Sequence, residues 1–281
     1  MSKIQSFGII GGDKRQLYCG KSMEKDGYRI VYSGFEKICG SFDIDNTPFL
    51  TALKECDALI LPLPCSRDGK TVNCPLADTP LAVENLKTVI GQKPVFCGMK
   101  NKLTFHDECI YDYAEGEAFA VENAVPTGEG AIELAMREYD GTIHGSRCLV
   151  TGYGRIGRIL SAMLKGLGAD VTVSARNERD LAYIRSAGMK AIHSERLAGQ
   201  FDLIFNTVPH VLFDSRTLAA SAVGSVLIDL ASMPGGVDHE GAQRLSVPVL
   251  HALSLPGKAA PKTSGIIIKN AVYHIIREEG L

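Results

Sequence analysis

Three glycines near the middle of the chain have the spacing of a phosphate-binding turn. Gly152, Gly154 and Gly157 stand in the stretch CLVTGYGRIGRIL, whose pattern is that of a strand, a turn and the start of a helix. The first glycine permits the tight turn, the second lets a pyrophosphate approach the backbone, and the third lets the helix pack against the strand. The free amides at the helix start then point at the phosphates. In this context the motif predicts a dinucleotide site rather than a turn that merely tolerates glycine.

The end of the following strand decides which dinucleotide is expected. An NAD site usually has Asp or Glu there, about 20 residues after the turn, to bind the ribose hydroxyls. This chain has VTVSARNERD, with Ser174 and Arg176 in that region and Glu178 as the nearest acid. A guanidinium and a hydroxyl bind a 2′-phosphate, which a carboxylate would repel. The sequence therefore favours NADP over NAD, the alternative being that Arg176 is only a solvated charge at a strand end.

Two later strand ends contribute to the same sheet edge, where open α/β sheets bind ligands. NTVP at 206–209 is expected to contact the nicotinamide ribose, whereas Asp229 in DLAS is equally well a ligand contact or a turn cap. The predicted cofactor-binding residues are Gly152, Tyr153, Gly154, Arg155, Ile156, Gly157, Ser174, Ala175, Arg176, Asn206, Thr207, Val208, Pro209 and Asp229.

Alternating strand and helix patterns on both sides of the glycine turn predict an α/β protein. We expect two Rossmann-like, doubly wound parallel-sheet domains with a cleft between them. Residues 1–140 plus 256–281 form the first, and residues 141–255 form the NADP-binding domain, so the last segment, IIIKNAVYHIIREEG, is a helix that returns to the first domain. The amphipathic stretch LAVENLKTVIGQ at 81–92 predicts a helix. Pro126 is expected to break or kink the helical segment 115–138, with Thr127 capping the part that follows.

Charged and hydroxyl-bearing loops in the first domain predict what kind of substrate it binds. They follow predicted strands or precede the returning helix, and several cations on one cleft would suit a substrate with carboxylates. For each residue the alternative is a solvated surface charge, which is the favoured interpretation of Lys70. The predicted substrate-binding residues are Arg15, Ser66, Arg67, Thr127, Lys258 and Ser264.

Composition excludes several other classes of function. The 281 residues have a formal net charge of −2 at pH 7, so no electrostatic footprint suggests a nucleic acid or an anionic membrane. The apolar runs are too short to cross a bilayer and no signal peptide is apparent, so a cytoplasmic protein is expected. The eight cysteines are widely spaced and lack histidines at ligand spacing, so we predict no metal site.

Six motifs together resemble the dipicolinate synthase A-subunit family through nearly the whole chain. They are GGDKRQ, AVPTGEGAIELAM, CLVTGYGRIGR, FNTVP, IDLASMPGG and LPGKAAPKTSG. The resemblance implies a two-domain, Rossmann-type oxidoreductase that acts during sporulation in the mother cell of a spore-forming bacterium. It also implies oxidation of a dihydrodipicolinate-level intermediate to dipicolinate (pyridine-2,6-dicarboxylate) and a small flavoprotein-like partner, the dipicolinate synthase B-subunit. A homo-oligomer is compatible with the sequence.

Oxidation to an aromatic ring removes a hydride from one ring carbon and a proton from a neighbouring atom, so a general base is needed. Glu129 is one candidate, although an acid at a helix start is also favoured by the helix dipole. His251 at the end of the last strand is another, with a structural hydrogen bond as its alternative. Lys262 is the third, and electrostatic binding of a carboxylate is its simpler role.

Two other functions compete with this interpretation. A different two-domain dehydrogenase, acting on a 2-hydroxy or 2-amino acid, would share the domain plan, but many such enzymes need a histidine paired with a carboxylate or a lysine. A non-catalytic NADP-sensing subunit is the second alternative, although a sensor needs no polar substrate site.

Overall fold

The structure is a computed structural model that describes residues 4–89, 91–232 and 234–281. The chain divides into two compact units. Unit 1 comprises Met1–Asn123 with Ala260–Leu281, and unit 2 comprises Ala124–Ala259. Both are parallel-sheet α/β units, which confirms the predicted fold class. No helix in the described ranges is long and apolar enough to cross a membrane.

Unit 1 is built on a five-stranded parallel sheet with the order β2-β1-β3-β4-β5, a doubly wound topology. Its strands are β1 (Ser6–Ile10), β2 (Arg29–Ser33), β3 (Ala58–Ile60), β4 (Val95–Cys97) and β5 (Ile110–Asp112). Its helices are α1 (Lys14–Lys25), α2 (Cys39–Phe42), α3 (Phe49–Glu55) and the last helix of the chain. Short 3₁₀ turns span Val83–Thr88 and Lys100–Lys102. Every residue of β1 and β3 is buried, as expected for strands covered on both faces.

The last helix of the chain packs on α1, which confirms that it returns to the first unit. It spans Pro261–Glu279 and lies so close to α1 that a Cβ on Gly265 would be 2.5 Å from the Arg15 carbonyl oxygen. Lys269 donates to the Asp26 carboxylate over 2.8 Å, and the Tyr273 hydroxyl donates to the same carboxylate over 2.9 Å. Glycine at the crossing and this polar contact near the end of α1 fix the register of the two helices.

Unit 2 carries a six-stranded parallel sheet with the order β11-β10-β9-β6-β7-β8, which is the order of dinucleotide-binding domains. Its strands are β6 (Arg147–Thr151), β7 (Asp170–Ala175), β8 (Lys190–His193), β9 (Leu203–Asn206), β10 (Val226–Asp229) and β11 (Val249–His251). The helices are α5 (Arg155–Gly166), α6 (Glu178–Ser186), α7 (Ser215–Ser221), α8 (His239–Arg244) and α9 (Leu255–Ala259), with a 3₁₀ turn over Ser194–Arg196. The strand order reverses between β6 and β9, and ligands of such sheets bind at that point.

The helix α4 (Glu117–Glu138) runs without interruption through Pro126, so of the break or kink expected at this proline, the break is wrong. Thr127 is consequently buried in the helix interior and does not cap a new helix. One proline removes a single backbone hydrogen bond, and the turns on either side retain theirs. Close packing holds the helix: a Cβ on Gly128 would be 3.1 Å from Met163 Sδ, and one on Gly130 would be 3.0 Å from Leu255 Cβ.

Candidate functional site

The glycine turn of unit 2 has the geometry that its sequence predicts. Gly152 follows β6 with a φ of +89°, a conformation that other residues rarely adopt. A Cβ on Gly157 would lie 2.0 Å from the Gly152 carbonyl oxygen, so only glycine allows this approach of α5 to the turn. The first and third glycines therefore shape the turn itself.

Gly154 differs from the other two glycines because its surroundings are open. It is the N-cap of α5, and a Cβ placed on it would meet no heavy atom of the described chain within 4 Å. No described side chain caps this helix start, so the first amides of α5 border open space. Backbone N–H groups and the helix dipole make such a position suitable for the phosphates of a dinucleotide. The residues present therefore fit the phosphates of a dinucleotide.

A cavity of about 410 Å³ extends from this turn along the carboxyl edge of the sheet. Its walls are residues 152–154, 175–177 and 207–210, together with Asp180, Ser194 and Leu212. The first and third of these segments follow β6 and β9, the two strands at the reversal of strand order. The cavity thus lies where the fold places a nucleotide.

At the end of β7 an exposed arginine stands where NAD sites usually have a carboxylate. Arg176 is exposed and lines the cavity, and its carbonyl oxygen is 2.9 Å from His193 Nε2. Ser174 is fully buried, with its hydroxyl 3.4 Å from that of Ser194. Asn177 caps α6 by accepting a hydrogen bond from the Asp180 amide over 2.8 Å. Between positions 174 and 177 the strand end therefore contains a cation and no acid.

The two nearest acids are held by neighbouring donors. Glu178 pairs with Arg185 at 3.6 Å. Asp180 accepts a hydrogen bond from Asn177 Nδ2 over 2.8 Å and lies 3.5 Å from the Arg158 guanidinium. Asp180 and His210 line the cavity but are not among the predicted site residues. The sequence contains a signal for both residues: Asp180 is four residues after Arg176, and His210 directly follows the NTVP motif.

The last residues of β9 and β10 are buried behind the cavity wall and do not face the cavity. Asn206 and Asp229 are both fully buried and do not line the cavity. Asp229 accepts from Asn206 Nδ2 at 2.8 Å, from the Ala231 amide at 3.2 Å and from the Gly236 amide at 3.1 Å. These bonds are those of a turn cap, one of the two roles expected for Asp229. Thr207, which does line the cavity, donates its hydroxyl to the Thr151 carbonyl oxygen over 2.7 Å.

In unit 1, two of the predicted substrate-binding residues are buried in local hydrogen bonds. Arg15 is 6% exposed, binds the Asp13 carboxylate through two nitrogens at 2.9 Å, and donates to the Leu63 carbonyl oxygen over 2.7 Å. Ser66 is fully buried, donates to the Thr71 carbonyl oxygen over 2.6 Å and accepts from the Gly69 amide. Their contacts join α1 to the loop after β3 and shape that loop.

Other predicted substrate-binding residues differ in their exposure. Arg67 is exposed, donates to Asn73 Oδ1 over 3.3 Å, and lines a second cavity of about 420 Å³. Lys258 is exposed on α9 in unit 2. Ser264 is buried and donates to the Ala260 carbonyl oxygen over 2.9 Å. Together with the buried Thr127, this leaves Arg67 and Lys258 as the accessible members of the predicted set.

The three candidate general bases are all exposed. Glu129 lies on α4 and His251 at the end of β11, both in unit 2, whereas Lys262 lies in the first turn of the last helix, in unit 1. The His251 ring is 4.4 Å from the ring of His239, a neighbour that no sequence motif indicates. Over the described part of the chain, no cluster of three or more His, Cys, Asp or Glu side chains could hold a metal ion.

Several buried thiols are unsuited to nucleophilic chemistry. Burial raises the pKa of Cys19 to about 12, and raises the pKa of Cys56 and of Cys148 to about 11 each. Because the thiolate is the nucleophilic form, these three cysteines are inert at neutral pH.

The two units match family models that agree with their geometry. Residues 6–106 match the N-terminal domain of the dipicolinate synthase A-subunit. Residues 120–235 match the NAD-binding domain of the D-isomer specific 2-hydroxyacid dehydrogenases. The second match covers the glycine turn, the end of β7 and the strand end at Asn206, so the cavity belongs to a nicotinamide-dinucleotide domain.

Relatives of full length give the family of the whole chain. The dipicolinate synthase A-subunit of Bacillus subtilis is 30% identical, with 97% of this chain and 96% of the relative covered. The crystal structure of the dipicolinate synthase A-subunit from Bacillus halodurans has a TM-score of 0.85 at 29% identity, with 97% of both chains covered. The crystal structure of the Bacillus subtilis A-subunit has a TM-score of 0.83 at 28% identity, covering 99% of this chain and 97% of the other. This chain belongs to the dipicolinate synthase A-subunit family and is a nicotinamide-dinucleotide-dependent oxidoreductase.

Proposed function

We propose that this chain oxidises a dihydrodipicolinate-level intermediate to pyridine-2,6-dicarboxylate and uses NADP as the hydride acceptor. The product is the compound for which its relatives are named. The observation that carries the choice of cofactor is the exposed Arg176 on the cavity wall, at a strand end without a carboxylate. By the same resemblance, the reaction takes place in the mother cell of a sporulating bacterium.

Charge at the end of β7 supports NADP over NAD. The 2′-phosphate is a dianion near neutral pH, and a guanidinium can bind it through two parallel hydrogen bonds. A hydrogen bond to a charged group contributes about 1.5–3 kcal/mol, so even one such bond favours NADP by at least about tenfold. Nearby, Glu178 is paired with Arg185, which reduces its repulsion of the phosphate.

A substrate with two carboxylates suits the accessible cations. Arg67, Lys258 and Lys262 are exposed and have no described ion pair that would neutralise them. Arg15 has a different role in this proposal, because its charge is balanced by Asp13. It stabilises the loop after β3, on which Arg67 lies, through its bond to Leu63.

The chemistry requires the ring to lose one hydride, which carries both electrons of the oxidation, and one proton. Bound NADP would accept the hydride from a ring carbon and leave as NADPH. The new ring double bond forms as the proton leaves the adjacent atom for a general base, which we propose to be Glu129. Lys262, an exposed lysine, is better suited to holding a substrate carboxylate, and His251 is the alternative base.

Dehydrogenation of a 2-hydroxy acid is the second candidate, favoured by the family match over residues 120–235. Many of these enzymes use a histidine paired with a carboxylate. Among described residues, the histidine–carboxylate pairs are His193–Glu195 at 3.7 Å and His274–Glu278 at 3.1 Å, and neither lines the cofactor cavity. The missing histidine–carboxylate pair at the cavity, in the part of the chain that the structure describes, and the full-length similarity to dipicolinate synthase A-subunits both favour dihydrodipicolinate oxidation over 2-hydroxy acid oxidation.

The test is turnover with the two substrate classes. The protein is incubated with NADP and enzymatically generated dihydrodipicolinate, and the absorbance of the aromatic dicarboxylate is followed together with NADPH fluorescence. We expect both signals to rise in equal amounts, and neither to rise with lactate. Because the relatives are named as A-subunits, each assay is repeated with a B-subunit, the partner that we propose. Product from lactate, or none from dihydrodipicolinate with either preparation, would contradict the proposal.

A further inference from the structure

Arg158 is an arginine of the cofactor domain that the glycine motif and the strand end do not account for. It lies in α5, one turn after the glycine turn, and donates from Nε to the Tyr153 carbonyl oxygen over 3.0 Å. Its guanidinium carbon lies 5.0 Å from the centre of the Tyr153 ring, a favourable cation–π distance. Tyr153 itself lines the cavity. Arg158 is therefore directed along the wall of the dinucleotide site.

The carboxylate of Asp180, in the first turn of α6, lies beside this arginine. Its side chain is 16% exposed, and its Oδ1 is buried without a hydrogen-bond partner among the described residues. Two guanidinium groups, those of Arg158 and Arg179, lie 3.5 Å from that one oxygen. The other oxygen is occupied by Asn177 Nδ2. A buried carboxylate oxygen needs a cation nearby, so this arrangement keeps both arginines beside Asp180, which forms part of the cavity wall.

We propose that Asp180 is a positioning residue that makes the site selective for the 2′-phosphate. By holding Arg158 and Arg179 at the cavity wall that it shares with Arg176, it provides three guanidinium groups where the phosphate of NADP differs from the hydroxyl of NAD. This inference rests on the proposed use of NADP.

The charge balance explains why an acid beside a phosphate can favour its binding. Three guanidinium groups carry three positive charges, and Asp180 cancels one, so the group remains cationic. Without the carboxylate, the two arginines would repel each other and Arg176, and their long side chains would sample many rotamers. A preformed arrangement avoids the entropy of ordering these side chains when the ligand binds.

The experiment compares NADPH and NADH binding to variants of the full chain. Binding is followed by the change in fluorescence of the reduced nicotinamide, which both NADPH and NADH carry. The variants are Arg158→Met, Asp180→Asn and the double variant. Arg216→Met is the matched control, because this arginine is exposed on α7 in the same unit and does not line the cavity. Thermal unfolding of each variant is recorded to identify loss of folding.

We expect Arg158→Met to weaken NADPH binding about tenfold and to leave NADH binding unchanged within about twofold. Asp180→Asn should weaken NADPH binding about threefold. In the double variant, the fold-loss of NADPH affinity should be smaller than the product of the two single fold-losses, because both changes disturb the same contact. Equal loss of NADPH and NADH affinity, or NADPH affinity that is unchanged or higher in Asp180→Asn, would overturn the inference. If Asp180→Asn does not fold, Arg158→Met decides alone, since Arg158 is half exposed.

The wild-type titration separates this inference from the proposed function. A wild-type protein that binds NADH as tightly as NADPH would contradict both. A wild-type protein that prefers NADPH, with variants that retain the full preference, would contradict the role of Asp180 alone and leave the proposed function in place.

Discussion

Replacing Gly154 with alanine tests whether the turn after β6 binds phosphates. The backbone there has φ −81° and ψ −163°, which alanine adopts without strain, and the new Cβ would meet no described heavy atom within 4 Å. Alanine is a poorer N-cap than glycine by up to about 1 kcal/mol, but it also lowers the entropy of the unfolded chain by about 0.4–1 kcal/mol. The free energy of unfolding should therefore change by less than about 1 kcal/mol.

Cofactor binding should respond very differently to the same methyl group. It occupies the open space through which a pyrophosphate would approach the first amides of α5. Losing one or two hydrogen bonds to a charged group costs about 3 kcal/mol, which corresponds to at least about a hundredfold weaker binding of NADP. The two quantities are measured by urea unfolding and by calorimetric titration with NADP.

Gly157→Ala is the matched comparison in the same turn. Its Cβ would lie 2.0 Å from the Gly152 carbonyl oxygen, so the backbone has to shift. We expect it to destabilise the fold by about 2–4 kcal/mol. Undiminished NADP binding by Gly154→Ala would refute the assignment of this turn to phosphate binding. A Gly154→Ala variant that does not fold would show that this glycine is needed for the fold itself.

Three further predictions concern residues that support the two units. Gly265→Ala should destabilise the protein by at least about 2 kcal/mol in urea unfolding, because its Cβ would be 2.5 Å from the Arg15 carbonyl oxygen; a stable variant would show that the helix contact is looser. Asp229→Asn, which disturbs a buried carboxylate with three hydrogen bonds, should cost about 3 kcal/mol and weaken NADP binding; normal stability would exclude the turn-cap role. The Arg147 guanidinium, bonded to Asp202 at 2.7 Å, holds the pKa of that carboxyl below its usual value. The stabilisation from this ion pair should be complete above the ordinary aspartate pKa of about 3.9 and be lost as the pH falls through the lower folded-state pKa. The free energies of unfolding of Asp202→Asn and of the wild type should therefore converge in acid. A difference between them that does not change with pH would contradict this.

The fold and the cofactor turn can be predicted from sequence because both depend on local patterns. Buried parallel strands are short apolar runs, and the alternation with helices then restricts the topology. The three roles of the glycines follow from backbone sterics within six residues, so the structural roles of Gly152 and Gly157 are assigned correctly without any tertiary information.

Predictions fail where distant residues decide the outcome. Pro126 argues for a helix break, but packing of the neighbouring glycines on other helices outweighs one lost hydrogen bond. Arg15 resembles a free cation in a strand-end loop, and its acceptor, the Leu63 carbonyl oxygen, is 48 residues away. The amphipathic stretch 81–92 forms a 3₁₀ turn over Val83–Thr88, and Ile90 within it lies outside the described residues. No periodicity in the sequence encodes these contacts.

Calorimetric titration of the purified chain with NADP and with NAD is the decisive measurement of cofactor choice. The guanidinium of Arg176, at a strand end without a carboxylate, predicts that NADP binds at least about tenfold more tightly than NAD. It also predicts that Arg176→Met removes most of this difference while NAD affinity stays the same. Tighter binding of NAD than of NADP, or no binding of either, would contradict the proposed NADP-dependent oxidation.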